Sequence, residues 1–188
     1  MILHTRTVHT PIGALALIAD GDALVGLEFG DALDRRDRLA RSLTRHLGAF
    51  EMHEHPDPAG AASRLERYFA GERGVLSEQP VTPHGTAFQL DVWRALRDIP
   101  AGETRSYGKL AEAIGRPAAV RAVGAANGAN PVALFVPCHR VIAADGTLWG
   151  YGGGLERKRW LLAHEGAVFA DGDQQGSLGL EDSVRRFR

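Results

Sequence analysis

Cys138 is the only thiol in this 188-residue chain. A lone cysteine excludes an internal disulfide framework and any zinc site built on several thiolates. Long hydrophobic runs are missing as well, and none could cross a bilayer as a helix. The opening Met1-Ile2-Leu3-His4-Thr5-Arg6 lacks a basic segment followed by an apolar one. A secretory signal is therefore not expected, and the cytoplasm is the expected compartment. Neither a Gly-x-Gly-x-x-Gly nor a Gly-Lys-Ser/Thr pattern occurs, so no nucleotide cofactor is expected. Strong net charge is absent too, the chain totalling −1. The balance is uneven, however. Residues 1–83 hold nine Lys/Arg against twelve Asp/Glu, whereas residues 84–165 hold ten against seven. A mildly basic second half permits nucleic-acid contact without demanding it.

What is present divides into two units. Thr5–Val8 alternates, Ala14–Ala19 is apolar and extended, and Leu24–Phe29 follows a turn at Asp20-Gly21-Asp22. These segments predict a small antiparallel meander. Leu33, Leu39, Leu43 and Leu47 recur among arginines, which predicts an amphipathic helix over 32–47 ending at Gly48. His53-Glu54-His55-Pro56-Asp57-Pro58 reads as an irregular solvated loop rather than a metal site. Leu65, Tyr68 and Phe69 mark a short helix closing at Gly71, and the Pro-containing stretch Ser77–Gly85 reads as a linker. The expected division is residues 1–78, a linker at 79–84, a second domain over 85–170 and a disordered tail over 171–188.

The second unit begins with a helical face, Phe88, Val92, Trp93, Leu96 and Ile99, capped at Thr86. Ser106 caps a further helix stopped by Gly115, and Pro117 opens another over 118–127. That pair has the dimensions of a helix-turn-helix. Its second helix is rich in small residues (Ala118, Ala119, Ala122, Gly124, Ala125, Ala126) and carries one charge, Arg121. Small residues suit either close approach to another surface or tight core packing. After Asn130-Pro131 an apolar strand, Val132–Val136, delivers Pro137-Cys138-His139-Arg140. Gly150-Tyr151-Gly152-Gly153-Gly154 then forms a loop ahead of a last helix over 155–165.

A cysteine after an apolar strand is often a small buried hydrophobe. Here His139 and Arg140 follow at once, and both can stabilise a thiolate, which favours a reactive Cys138. Glu165, alone, reads as a solvated helix end, but it could also orient an imidazole. Tyr107 could donate to a ligand or pack. A helical pair suited to DNA, placed before a His-linked cysteine, fits chemistry on a base extruded from the duplex. Arg121 could then fill the vacated space while small residues enter a narrow groove.

From Gly85 to Gly166 the chain resembles the O6-alkylguanine-DNA alkyltransferases, the methylated-DNA–protein-cysteine methyltransferases. The resemblance is carried by Gly85-Thr86-Ala87-Phe88-Gln89 with Val92-Trp93, Ile99-Pro100-Ala101-Gly102-Glu103-Thr104, Ser106-Tyr107-Gly108 and Arg121-Ala122-Val123-Gly124. Asn130-Pro131, Pro137-Cys138-His139-Arg140-Val141, Tyr151 with Gly153-Gly154, and Leu161-Leu162 ahead of Glu165 complete it. The resemblance implies an α/β (α+β) protein: a ribonuclease-H-like N-terminal domain with a small antiparallel sheet, then a mostly helical, winged-helix-like catalytic domain.

It also implies roles. Cys138 would accept the alkyl group, His139 would draw off the thiol proton through a water, and Glu165 would polarise His139. Asn130 would brace the cysteine turn, and Tyr107 would help guanine leave. Arg121, Ala122, Ala119 and Gly124 would contact DNA. Val136, Pro137, Tyr151, Gly152, Gly153 and Gly154 would wall the base pocket. The implied partner is double-stranded DNA carrying alkylated guanine, met by a monomer, with clustering on DNA and action on O4-alkylthymine left open. Gly152 stands where some relatives carry serine, and Trp149 just before it could narrow the pocket. Relatives that bind zinc in the first domain do so through cysteines absent here, so no metal is expected. Three other readings predict different residues. A non-catalytic lesion binder of the alkyltransferase-like kind would replace the cysteine by tryptophan. A helix-turn-helix regulator would want more base-reading side chains than Arg121. A cysteine hydrolase would not need a DNA-suited helix.

Overall fold

The computed structural model describes residues 1–30 and 33–170, with backbone alone for 33–36. The expected disordered tail, including Arg185-Arg186-Phe187-Arg188, lies outside the described residues. Three strands, β1 (Ile2–Thr10), β2 (Gly13–Asp20) and β3 (Ala23–Phe29), form the expected antiparallel meander. Helix α1 (Leu33–Leu47) then returns the chain to the start of β1, where β4 (Glu51–Glu54) adds in parallel, Leu3 opposite Met52. The sheet order is β3-β2-β1-β4, so the sheet is mixed rather than purely antiparallel. The reason is the helical crossover, which brings the chain back in the direction of β1. Part of the segment read as a loop, His53-Glu54, therefore belongs to an edge strand. Its side chains are all exposed, and Glu-Met-His-Glu carries no apolar alternation that could announce it.

The sheet buries both faces. On one, Leu39 and Leu43 of α1 pack on Leu3, Ile18 and Val25. Gly26 permits this approach, since a Cβ there would lie 2.7 Å from Leu39. On the other face, Leu15, Leu17, Leu24, Leu27 and Phe29 share one core with Leu65 and Tyr68 of α2 (Ala61–Phe69) and with the second unit. Burying each such Leu or Phe side chain is worth roughly 1.5–3 kcal/mol. The linker belongs to that packing. Thr82 donates to Leu24 O at 2.8 Å, Leu24 donates to Pro80 O at 3.0 Å, and Gln79 is fully buried.

The second unit opens with α3 (Ala87–Arg97), held at its start by a complete capping box between Thr86 and Gln89. Trp93 Nε1 donates to Ala126 O at 2.8 Å and pins α3 to α5 (Val120–Gly128). Between them, α4 (Tyr107–Ala113) is capped by Ser106 and followed by Gly115 at φ +70°. A 3-10 turn, Pro117–Ala119, precedes α5, so the second helix starts later than Pro117 alone suggests. Two two-residue strands, β5 (Arg105–Ser106) and β6 (Val141–Ile142), pair in parallel and tie α4 to the segment after Cys138. Helix α6 (Leu155–Glu165) ends the described fold. Among the described residues no helix is long and apolar enough to cross a membrane.

Candidate active site

The segment ahead of Cys138 is buried as expected, but it is a compact loop rather than a strand. Val136 N bonds back to Val132 O at 2.9 Å, and Leu134 adopts φ +71°, a strained conformation for a bulky residue. Asn130 holds this loop closed. Its Oδ1 accepts from Val132 N at 3.0 Å while its Nδ2 donates to Val136 O at 2.7 Å. One side chain thus satisfies both ends of the turn, while Val132 makes a single parallel bridge to Leu27 of β3 and Leu27 N donates to Pro131 O at 2.8 Å. From there Cys138–Arg140 form a single 3-10 turn, which sends three consecutive side chains in different directions.

Cys138 is 5% exposed and lines a cavity of about 260 Å³. Tyr107, Asn127, Asn130, Gly124 and Tyr151 share that cavity, and so does Phe29 from β3. Gly152 and Gly153 of the expected pocket loop line it as well. Gly153 must be glycine, because a Cβ would stand 2.6 Å from the Phe29 ring and 2.9 Å from Tyr151. Val136, Pro137 and Gly154 lie outside the lining: Val136 is buried beneath the cysteine turn, Pro137 precedes that turn, and Gly154 starts α6. Gly124, which the resemblance placed among the DNA-contacting residues, lines the cavity beside the Tyr107 ring. Arg121 and Ala122 are exposed on the first turn of α5, and Ala119 is half-buried before it. Trp149 is 68% exposed and outside the cavity wall.

Behind Cys138, His139 is fully buried and its Nε2 lies 3.0 Å from Glu165 Oε1. Glu165 is also buried, at the last residue of α6. Arg140 does not turn toward the thiol. Its Nε and Nη2 each donate to Glu165 at 2.8 Å, and Nη1 donates to Ile99 O. The guanidinium expected to help stabilise a thiolate thus spends its hydrogen bonds on a buried carboxylate and a carbonyl. Tyr68 completes the set, its hydroxyl donating to Glu165 Oε1 at 2.8 Å from α2.

Burial alone would raise the Glu165 carboxyl, but His139 and Arg140 hold it well below the ordinary carboxylate range. Burial pushes the His139 imidazole below its ordinary value, with Glu165 opposing. At neutral pH the pair is thus an ionised carboxylate and a neutral imidazole. An ionised carboxylate only accepts, so the imidazole proton sits on Nε2 and Nδ1 keeps its lone pair. His139 Nδ1 is buried without a hydrogen-bond partner among the described residues. That atom is the base the site offers. Tyr107 is raised by burial and by Cys138, so it stays a proton donor.

Lys158 is a further buried group that sequence reasoning missed. Its Nζ donates to Val141 O at 2.6 Å and Trp149 O at 2.7 Å, joining the strand after Cys138 to the pocket loop. Burial pushes it down to about 8, with Cys138 opposing. Helical spacing could have flagged it, because it sits three and four residues before Leu161 and Leu162. Asn127, which donates to Cys138 O at 3.4 Å, offered only a mid-helix polar residue as signal. Phe29 and Tyr68 offered none.

Two family models together cover most of the chain. The ribonuclease-like domain of 6-O-methylguanine DNA methyltransferase matches residues 3–83, and its DNA-binding domain matches residues 87–167. The methylated-DNA–protein-cysteine methyltransferase of Salmonella typhimurium is 47% identical over 160 residues, covering 85% of this chain and 93% of that protein. The Mycobacterium tuberculosis protein of the same name is 48% identical over 167 residues, covering 87% and 93%. The crystal structure of Mycobacterium tuberculosis OGT in complex with DNA superposes with a TM-score of 0.74 at 45% identity, covering 87% of this chain and 92% of that one. The chain belongs to the 6-O-methylguanine DNA methyltransferase family.

Proposed function

We propose that this protein repairs DNA by direct reversal, moving the alkyl group of O6-alkylguanine irreversibly onto Cys138. The observation that carries the reading is Cys138 on a base-sized cavity with the buried His139–Glu165 pair directly behind it. The thiol proton passes through a water to His139 Nδ1, and Glu165 stabilises the resulting imidazolium. The Cys138 sulfur then attacks the alkyl carbon in line. A sulfur–carbon bond forms as the carbon–O6 bond breaks, and the electron pair leaves on guanine. Tyr107 gives its phenolic proton to the departing base, which leaves neutral, and the proton taken up by His139 returns through solvent to restore the phenol. A thioether has no easy reverse path, so one chain repairs one lesion.

The remaining roles are those the family resemblance implies, and the positions of the residues are compatible with them. The damaged nucleotide leaves the duplex to reach the cavity, Arg121 takes its place in the stack, and Ala122 and Ala119 lie against the minor groove. Gly124, Tyr151, Gly152 and Gly153 contact the base, while Asn130 fixes the cysteine turn. Residues 1–78 form one domain, 79–84 the connection, and 85–170 the catalytic domain. The partner is double-stranded DNA carrying alkylated guanine, met by a monomer in the cytoplasm. The test is intact-mass analysis after incubation with a duplex containing O6-methylguanine. One added methyl mapping to Cys138, and absent in Cys138→Ala, is expected. Repeated turnover or no addition overturns the reading.

A further inference from the structure

Three arginines of α1 take no part in the site described above. Arg38, Arg41 and Arg45 are exposed and lie on one helix face by their i, i+3, i+7 spacing, away from the Leu39 and Leu43 that pack on the sheet. None makes an ion pair or hydrogen bond with a described residue. Together they wall a cleft of about 480 Å³ whose far side includes His84, Gln89 and Asn130. Among the described lining residues Glu28 is the only carboxylate, so three described guanidiniums face one described negative charge. The cleft lies beside the cavity over Cys138, since Gly128 and Asn130 line both. The N-terminal end of α3, at Thr86 and Gln89, opens into it too and adds a favourable dipole.

We infer that this cleft is a second DNA contact, holding backbone phosphates of the strand that delivers the damaged nucleotide to Cys138. The inference rests on the proposed function. Guanidinium groups match phosphate oxygens in paired hydrogen bonds. From Arg38 to Arg45 the row runs about 10 Å along α1, enough to follow two or three successive phosphates of one strand. The second unit supplies the base pocket and the first unit grips the strand beside it. This gives the arginine face of α1 a purpose beyond solvation.

The test is the triple variant Arg38→Gln/Arg41→Gln/Arg45→Gln, which removes three charges and keeps good helix formers. Binding of wild type and variant to a duplex carrying O6-methylguanine is followed across about 50–200 mM salt, where each phosphate contact contributes about 0.9 to the logarithmic slope. The variant is expected to show a slope shallower by about 2–3 and at least about tenfold weaker binding at the lowest salt. Its reaction with the free base O6-benzylguanine is expected to equal that of wild type. An unchanged slope overturns the inference, as does an equal loss on the free base, which would report a damaged pocket. Lost binding of a mononucleotide with the DNA slope intact would assign the cleft to small anions and overturns it as well. If wild type takes up alkyl from neither substrate, the proposed function itself fails. If wild type reacts and the variant keeps the full slope, only this inference fails.

Discussion

Replacing Glu165 by glutamine keeps the shape of the side chain and an oxygen for His139 Nε2–H, but removes the negative charge. In the wild type that charge accepts from His139, from Tyr68 and twice from Arg140, all buried. Arg140 would be left without a counter-ion, and breaking a buried pair from one side costs about 3–5 kcal/mol. Folding stability by urea titration should fall by that amount at pH 7. The pH dependence has a definite sign. Glu165 is held below its ordinary value of 4.5, so its stabilisation is present above that pH and is lost as pH falls below it. The gap between wild type and variant should therefore be full at neutrality and shrink below about pH 4.5. His139 moves in the opposite sense to a gain of basicity. The carboxylate is the main influence opposing burial there, so without it the imidazole falls further below 6.5. Single-turnover methyl transfer to Cys138, measured between about pH 5 and 8, should show its acid limb displaced to lower pH. Its plateau should drop by about 100-fold, the low end of what general acid–base help supplies. An unmoved acid limb with an unchanged plateau would refute the coupling of Glu165 to the thiol. A stability gap under about 1 kcal/mol at neutrality would refute the buried-pair argument.

Tyr68→Phe deletes one donor to the same carboxylate without opening a cavity; a loss of about 1.5–3 kcal/mol in urea unfolding is expected. Slower transfer from free base and duplex alike should accompany it, and an unchanged rate would leave Tyr68 a packing residue only. Arg121→Ala should slow repair of duplex DNA about tenfold, because the extruded base loses its replacement at a cost of order 1 kcal/mol. Reaction with free O6-benzylguanine should stay at the wild-type rate, and equal losses on both substrates would remove the flipping role. Gly153→Ala drives a methyl group into the Phe29 ring, which is 1% exposed and cannot retreat. It should cost about 1–3 kcal/mol by thermal unfolding and lower the rate on the free base.

Features set by local chemistry were legible. The leucines of α1, the Thr86 and Ser106 caps and the Gly115 stop each satisfy needs within a few residues, and each stands where sequence placed it. Strand β4 was not legible, because its pairing is supplied by β1, some fifty residues earlier in the chain. The loop at 132–136 misled for a related reason. An apolar run announces burial, but only Asn130 decides that the buried backbone closes on itself. Cys138-His139 could be read directly as a reactive pair. Glu165 could not, since a carboxylate at a helix end is usually solvated. Its partner His139 lies on another element, so the family resemblance alone supplied its role. The pairing of Arg140 with Glu165 was hidden for the same reason, because the two lie on different elements.

Counting buried charge explains why these pieces belong together. Around the sulfur lie two buried cations, Arg140 and Lys158, and one buried anion, Glu165. Arg140 and Glu165 compensate each other, while Lys158 has only carbonyl oxygens. Burial weakens its charge, and a negative Cys138 supports it. By reciprocity, Lys158 favours negative sulfur. The neutral imidazole accepts the thiol proton without altering this balance, because Glu165 already faces it. Alkylation turns the sulfur into a neutral thioether and removes the anion Lys158 was placed to meet. The arrangement that makes the sulfur reactive therefore loses its electrostatic complement once the sulfur has reacted. Two residues of the first unit keep the arrangement fixed: Phe29 walls the cavity, and Tyr68 holds Glu165 from behind. The catalytic turn lies in the second unit, but its electrostatics are completed by the first.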